Sequence, residues 1–290
     1  VRQRVIYDYR DLTRAFVETS DYDLVLWPES AMPGHFTFPW VQKYLNDMIL
    51  KGEDFYLLSG IEEGSFDGEE IYNSVFLLKG STENYQNHRK VHLVPLGEYL
   101  PWRESFPIFE WILGRVITLD FTAGETTEPL ILEKEGHRIG VAPLICFEDT
   151  VPRHARKFIR PGPQIFVNVT NDGWFYDSAE PMQHFHNALF RCIEMRRPMI
   201  RAANTGVSAF IDERGSVYDR EDSSGFARIL ADEETGSTYI RGSLPGTVRV
   251  ALDPPVTFYA RHGDIFSAGL GGLALVYWLS LGLRRRFRKG

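Results

Sequence analysis

A glutamate, a lysine and a cysteine far apart in this chain together supply what acyl transfer needs. Cys146 closes an apolar run that begins at Gly140, and Phe147, Glu148 and Asp149 follow it at once. A thiol attacks a carbonyl carbon only as the thiolate. It therefore needs a base within hydrogen-bond reach and a cation for the oxyanion that forms. Glu29, just past the DLVLW run at 23–27, can be the base if desolvation raises its pKa towards neutrality. Lys90, in the Pro- and Gly-containing stretch from Asn87 to Pro101, can be the cation, and Glu98 lies in the same stretch. Taken singly, each has a plainer reading: a lone cysteine beside apolar residues is usually core filler, and a glutamate is usually a solvated acid.

The elements that must position these groups are legible as hydrophobic pattern. Val141, Leu144 and Ile145 have the character of an interior strand, and the acids after Cys146 read as a turn into a helix from near Val151. Cys146 thus sits where a strand hands over to a helix, whose N-terminal partial charge favours the thiolate. Leu12, Ala15, Phe16 and Thr19 mark a short amphipathic helix, Asp23 to Trp27 a buried strand, and Val41 to Ile49 a helix. Residues 55–61 and 71–78 read as strands around an acidic turn. Trp102 to Val116 carries an aromatic load that fits either core packing or a lipid-contacting lid. Beyond Cys146 the pattern predicts a strand over 164–170, a loop over 171–176, a helix over 181–196, and strands over 199–203 and 207–211. His184 and His186 lie two apart on that helix and diverge, which argues against a shared metal and for solvated or capping roles. Alternating strands and helices point to a layered α/β sandwich.

Composition narrows the function classes. The net charge is −7, and removing the five positive charges of Arg284, Arg285, Arg286, Arg288 and Lys289 (−7 − 5) leaves −12 for the body. An acidic body argues against a nucleic-acid partner. Two cysteines, Cys146 and Cys192, make neither a disulfide framework nor the paired spacing of a zinc site. Ile265 to Leu283 runs without a charge, long enough to be read as a membrane-spanning helix, and the arginines after it point to a cytoplasmic C-terminus. Ser267, Ala268, Gly271 and Gly272 place small residues four apart, as close helix packing in lipid prefers.

WPES at 27–30, RKVHLVPLGEYLP at 89–101 and LICFED at 144–149 resemble the Glu-Lys-Cys motifs of the nitrilase superfamily. Within it, HLVPLGEYLP, NVTNDGWF at 168–175, RPMIRAANTG at 197–206 and TFYARHGD at 257–264 resemble the apolipoprotein N-acyltransferase branch. The resemblance implies an α/β fold, a nitrilase-like αββα four-layer sandwich followed by one C-terminal transmembrane helix. It divides the chain into a catalytic domain at 1–264, a span at 265–283 and a basic cytoplasmic tail at 284–290. It implies Glu29 as general base, Lys90 as oxyanion stabiliser and Cys146 as nucleophile. Supporting or substrate-binding roles fall to Glu98, Glu148, Phe147, Asn171 and Trp174, with no metal and no cofactor. Phe147 stands where the branch often has tyrosine, and Tyr176 where it often has glycine.

The implied reaction moves a fatty acyl chain from a phospholipid, through a cysteine thioester, to the N-terminal amine of a diacylglyceryl-cysteine lipoprotein. The alternative is a membrane-tethered nitrilase-type amidase. The resemblance further implies a phospholipid donor, a lipoprotein acceptor and a place in the bacterial inner membrane with the catalytic domain on the extracytoplasmic face. It also implies upstream membrane helices and a first strand that precede Val1 in a longer protein.

Overall fold

The computed structural model describes residues 2–18, 21–64, 70–101, 120–175, 178–217 and 229–287, with side chains described from Arg4 to Leu281 within them. The chain opens with α1 (Arg2–Val17), β1 (Leu24–Trp27) and α2 (Pro39–Leu45), which runs on into a wider π turn, Asn46–Leu50. Strands β2 (Tyr56–Gly64), β3 (Ile71–Lys79) and β4 (Ser81–Arg89) follow. Next come β5 (Leu130–Lys134), β6 (His137–Ile145), a 3-10 turn at Cys146–Thr150 and α3 (Pro152–Lys157). The chain continues through β7 (Gln164–Thr170), a second 3-10 turn at Asp172–Phe175, α4 (Glu180–Met195), β8 (Met199–Ala203) and β9 (Ala209–Ile211). It ends in α5 (Phe258–His262) and α6 (Ile265–Phe287).

Among the described residues the strands form two sheets, one of order β1-β2-β3-β4 and one of order β5-β6-β7-β8-β9. Side-chain alternation decides what each face covers. In β2 and β3, Leu57, Ile61, Phe76 and Leu78 face a core shared with Val41 and Leu45 of α2 and with Tyr9 and Val17 of α1. Their neighbours Leu58, Val75 and Leu77 face the other way, against Val141, Ile145, Ile165, Val167 and Val169 of the second sheet. That sheet turns Ala142, Leu144, Phe166 and Met199 outward onto Ala155 of α3 and Phe185, Ala188 and Cys192 of α4. The order of layers is helix, sheet, sheet, helix.

Several expectations change in the fold. The first helix begins at Arg2, because its charged residues continue the turn pattern while Tyr9 reaches the core. β4, with the sequence STENYQNHR, has no hydrophobic signature; residues 83–86 are exposed, and pairing with β3 holds it. The segment 265–283 is helical, but among the described residues no helix is long and apolar enough to cross a membrane. Phe266, Leu273, Val276 and Trp278 are exposed along this helix. The lid expected at 102–116 and Tyr176 lie outside the described residues, as does most of 219–236.

Candidate active site

Glu29 is delivered by the end of β1. β1 lies parallel to β2 with Trp27 opposite Ser59, so the chain leaving the strand passes over Gly60. A Cβ on Gly60 would stand 2.6 Å from the Glu29 Cα and 2.7 Å from the Pro28 carbonyl oxygen, so only glycine lets the backbones come this close. The Ala31 N–H closes the crossing by donating to the Gly60 carbonyl at 2.9 Å. Asn73, on β3, donates from Nδ2 to Glu29 Oε1 at 2.6 Å and to Glu98 Oε1 at 3.1 Å.

Lys90 follows β4 directly, and its own N–H donates to the Asn73 carbonyl at 2.8 Å. Its ammonium donates to Glu98 Oε1 at 2.7 Å and lies 3.8 Å from Glu29 Oε1. Glu98 spends its other oxygen on the Val94 N–H, 2.8 Å away. Lys90 is 1% exposed and Glu29 6%. Burial alone would push the Lys90 pKa down, but Glu29, Cys146 and Glu98 together raise it, and the cation persists. Burial raises the Glu29 carboxyl, with Lys90 and Asn73 pulling it partly back, as a general base at neutral pH requires.

Cys146 sits at the head of β6, where the buried strand breaks into the 3-10 turn. Its φ is +50°, a left-handed conformation that costs a non-glycine residue about 1–3 kcal/mol. Asn168 on β7 donates from Nδ2 to the Leu144 carbonyl at 2.9 Å and to the Cys146 carbonyl at 3.2 Å. Burial first, and then Glu29, push the thiol up to about 12, while Lys90 and a hydrogen bond from Thr170 act against them. The expected thiolate at a helix N-terminus is therefore corrected. The helix beyond begins at Pro152, where the sequence pattern puts it, but is only 6 residues long, and burial of the sulfur is the largest influence on the thiol. Cys146 therefore stands as a thiol, with Glu29 and Lys90 the charged groups that act on it most.

Glu148 joins the two halves of this site. Its Oε2 accepts the Ile145 N–H at 2.8 Å, and its Oε1 accepts the Val91 and His92 N–H groups at 2.7 and 2.9 Å. The turn bearing Cys146 is thereby tied to the segment bearing Lys90. Burial would raise this carboxyl, but His154 and His88 and the His92 N–H bring it down to about 2. His88, Glu148 and His154 also bring donor atoms within 4.8 Å of one another, as a metal site would. Both Glu148 oxygens are already committed to backbone N–H groups, so the carboxylate is a brace between chain segments.

Of the other expected residues, Asn171 meets Glu29 through its backbone N–H, while its side-chain oxygen accepts from Gly173 and Thr205 at 3.2 and 3.1 Å. Phe147 is exposed beside Cys146 and shares a depression of about 560 Å³ with Val151, Tyr259, Ser267 and Ala268. Trp174 is 79% exposed and joins none of these groups. A larger cavity of about 1000 Å³, between α1, β1 and residues 238–250, is lined by none of Glu29, Lys90 and Cys146. Sequence reading passed over Asn73 and Asn168, whose one signal is a polar side chain within an apolar strand. It also misread His184, which is 5% exposed and lies between Asp149 and Asp172.

Two face-to-face sheets bearing a Glu-Lys-Cys cluster at their strand ends define a nitrilase-type α/β protein. Residues 10–224 match the carbon-nitrogen hydrolase family, and the chain belongs to that family. It is 32% identical, over 98% of its length, to the apolipoprotein N-acyltransferase of Geobacter metallireducens, of which it covers 50%. It is 36% identical, over 91% of its length, to the enzyme of the same name from Rhizobium meliloti, of which it covers 49%. The chain thus spans about half the length of these curated relatives. Its fold is similar to that of Saccharomyces cerevisiae Nit3, a member of branch 10 of the nitrilase superfamily, with a TM-score of 0.52 at 16% identity. That likeness covers 81% of each chain.

Proposed function

We propose that this chain is the catalytic part of a membrane-bound N-acyltransferase that completes bacterial lipoproteins, with Glu29 as base, Lys90 as oxyanion stabiliser and Cys146 as nucleophile. The observation that carries the reading is the convergence of these three groups in one buried cluster, in a chain similar along nearly its whole length to apolipoprotein N-acyltransferases. Cys146 Sγ attacks the ester carbonyl of a phospholipid as its proton passes to Glu29, and the Lys90 ammonium faces the oxyanion. The C–O bond breaks, Glu29 returns the proton to the departing lysophospholipid, and a thioester remains. The α-amine of a lipidated cysteine then attacks the thioester, and its proton goes through Glu29 to the departing sulfur. A thioester reacts with amines more readily than an oxygen ester does, so the covalent intermediate divides a difficult exchange into two easier steps.

In this reading Glu98, Glu148 and Asn73 hold the cluster, and residues 1–264 form the catalytic body. The segment 265–283 enters the inner membrane, the body stands on the extracytoplasmic face, and the basic residues 284–290 remain cytoplasmic. Two observations support contact with lipid: the exposed apolar side chains of α6, and the depression shared by its Ser267 and Ala268 with Phe147, the neighbour of Cys146.

Intact-mass analysis tests the proposal. With phospholipid and no acceptor, a fatty-acyl adduct is expected on Cys146 and not on the fully buried Cys192, and it should disappear when a lipidated cysteinyl peptide is added. Steady release of fatty acid with no adduct would favour an amidase-type hydrolase instead.

A further inference from the structure

Beneath Cys146 lies a buried set of charges that the proposed chemistry does not use. His184 on α4 has Nε2 2.7 Å from Asp149 Oδ1 and Nδ1 2.9 Å from Asp172 Oδ1. Arg201 on β8 donates from Nη1 to Asp149 Oδ2 at 2.6 Å and to Asn168 Oδ1 at 2.5 Å, and from Nη2 to Asp172 Oδ2 at 3.2 Å. The Asp172 carboxylate at Nδ1 and the Cys146 carbonyl at Nε2 can only accept, so the ring donates from both nitrogens, which only the imidazolium can do, and Asp149 lies beside it as a counter-charge. Arg201 Nη2 also comes within 3.1 Å of Nδ1, but an unprotonated Nδ1 there would turn its lone pair on the Asp172 oxygen. His184 Nε2 also lies 3.2 Å from the carbonyl oxygen of Cys146, the residue held at φ +50°.

We infer that protonated His184 is a positioning residue: it holds the Cys146 carbonyl, keeps that residue in its left-handed conformation and so aims the sulfur at Glu29 and Lys90. The inference rests on the reading of Cys146 as nucleophile. A left-handed cysteine persists only where its surroundings over-determine it, and Asn168 and His184 grip the same carbonyl from two elements. The charged groups around the imidazole are Asp149, Asp172 and Arg201, with Glu180 in the first turn of its own helix and Arg191 donating to the Asp149 carbonyl. Burial would lower the His184 pKa, but Asp149 and Asp172 raise it to about 9. Loss of that proton removes a donor from the quartet, weakens the grip on the carbonyl and releases the turn.

The test is the donor half-reaction alone, because the acceptor amine would add its own titration. In the full chain, the rate of acyl-adduct formation should fall above about pH 9, since Cys146 and Lys90 titrate higher. His184→Gln, which keeps one neutral donor, should fold and form adduct at least tenfold more slowly at pH 7.5, with an unchanged phospholipid KM and no alkaline limb. His184→Ala should be slower still. A wild-type rate that rises without a break to pH 10, or a His184→Gln rate within twofold of wild type, would overturn the inference. If the wild type forms no adduct, the acyltransferase reading fails, and alkylation of Cys146 by iodoacetamide decides the positioning role. Several-fold slower modification in His184→Gln at pH 7.5 upholds that role, and an equal rate rejects it.

Discussion

Lys90 has the least freedom of the three candidate catalytic residues. Its ammonium faces two carboxylates, and its pKa stays high although burial acts against it. A buried cation is stable only while its partners remain, and the carboxylates depend on it in return. Lys90→Ala should therefore slow adduct formation by about a hundredfold or more, roughly 3 kcal/mol, as loss of an oxyanion donor does. It should also lower stability, because Glu29 and Glu98 are left facing each other without a cation. Single-turnover acylation of the folded fraction, together with a urea midpoint, separates the two effects. Near-normal acylation would remove Lys90 from the mechanism. Lys90→Arg should not rescue it, since a planar guanidinium does not fit where a fully buried ammonium sits.

At the scale of elements, the site depends on how closely two parallel strands approach. Glu29 reaches Lys90 because β1 ends over Gly60 of β2 without a side chain between them. Gly60→Ala puts a methyl against backbone atoms, which cannot rotate away as a flexible side chain could. The expected outcome is a loss of about 1–3 kcal/mol in stability, typical of overpacking. A loss of acylation beyond what the unfolded fraction explains is also expected, since Glu29 moves with the strand end. Equal acylation per folded molecule would mean that the strand end relaxes without carrying Glu29. The brace from Glu148 to Ile145, Val91 and His92 plays the same part on the other side, tying the Cys146 turn to the Lys90 segment.

For the whole molecule, buried titrating groups set the pH range of stability. His88 is held down to about 4, so between that value and its ordinary 6.5 the unfolded chain binds more protons and stability falls as pH falls. Glu148, depressed from 4.5 to about 2, adds stability that is present above 4.5 and lost as pH falls towards 2. His184 works in the opposite sense: raised to about 9, it adds stability that is present below 6.5 and lost as pH rises through 9. Denaturant midpoints should therefore peak near pH 6 to 7 and fall on both sides. His88→Gln should flatten the upper part of the acid limb and His184→Gln the alkaline one. A profile that is flat from pH 4 to 10 would show that these groups titrate alike in both states.

The residue types of the site and much of its scaffold were legible along the chain. The strands at 164–170 and 199–203 fall where their apolar runs place them, because interior strands carry their signal in local side-chain character. The motifs around Glu29, Lys90 and Cys146 also pointed to one chemistry without any geometry. Local pattern did not reveal β4, whose polar residues are held by strand pairing and by Gln86, which exchanges hydrogen bonds with the backbone of Ile131. Nor did it reveal the place of His184: helical spacing reports what shares a face, not that Asp149 and Asp172 arrive from two other turns to enclose the ring. Only the tertiary structure decided the state of the thiol. The sequence placed Cys146 before a helix N-terminus, but its protonation depends on the water removed around the sulfur and on Glu29 and Lys90, which enter from the opposite sheet. Residue types follow from the chain itself, whereas pKa values and partners are set by distances between groups that the chain holds far apart.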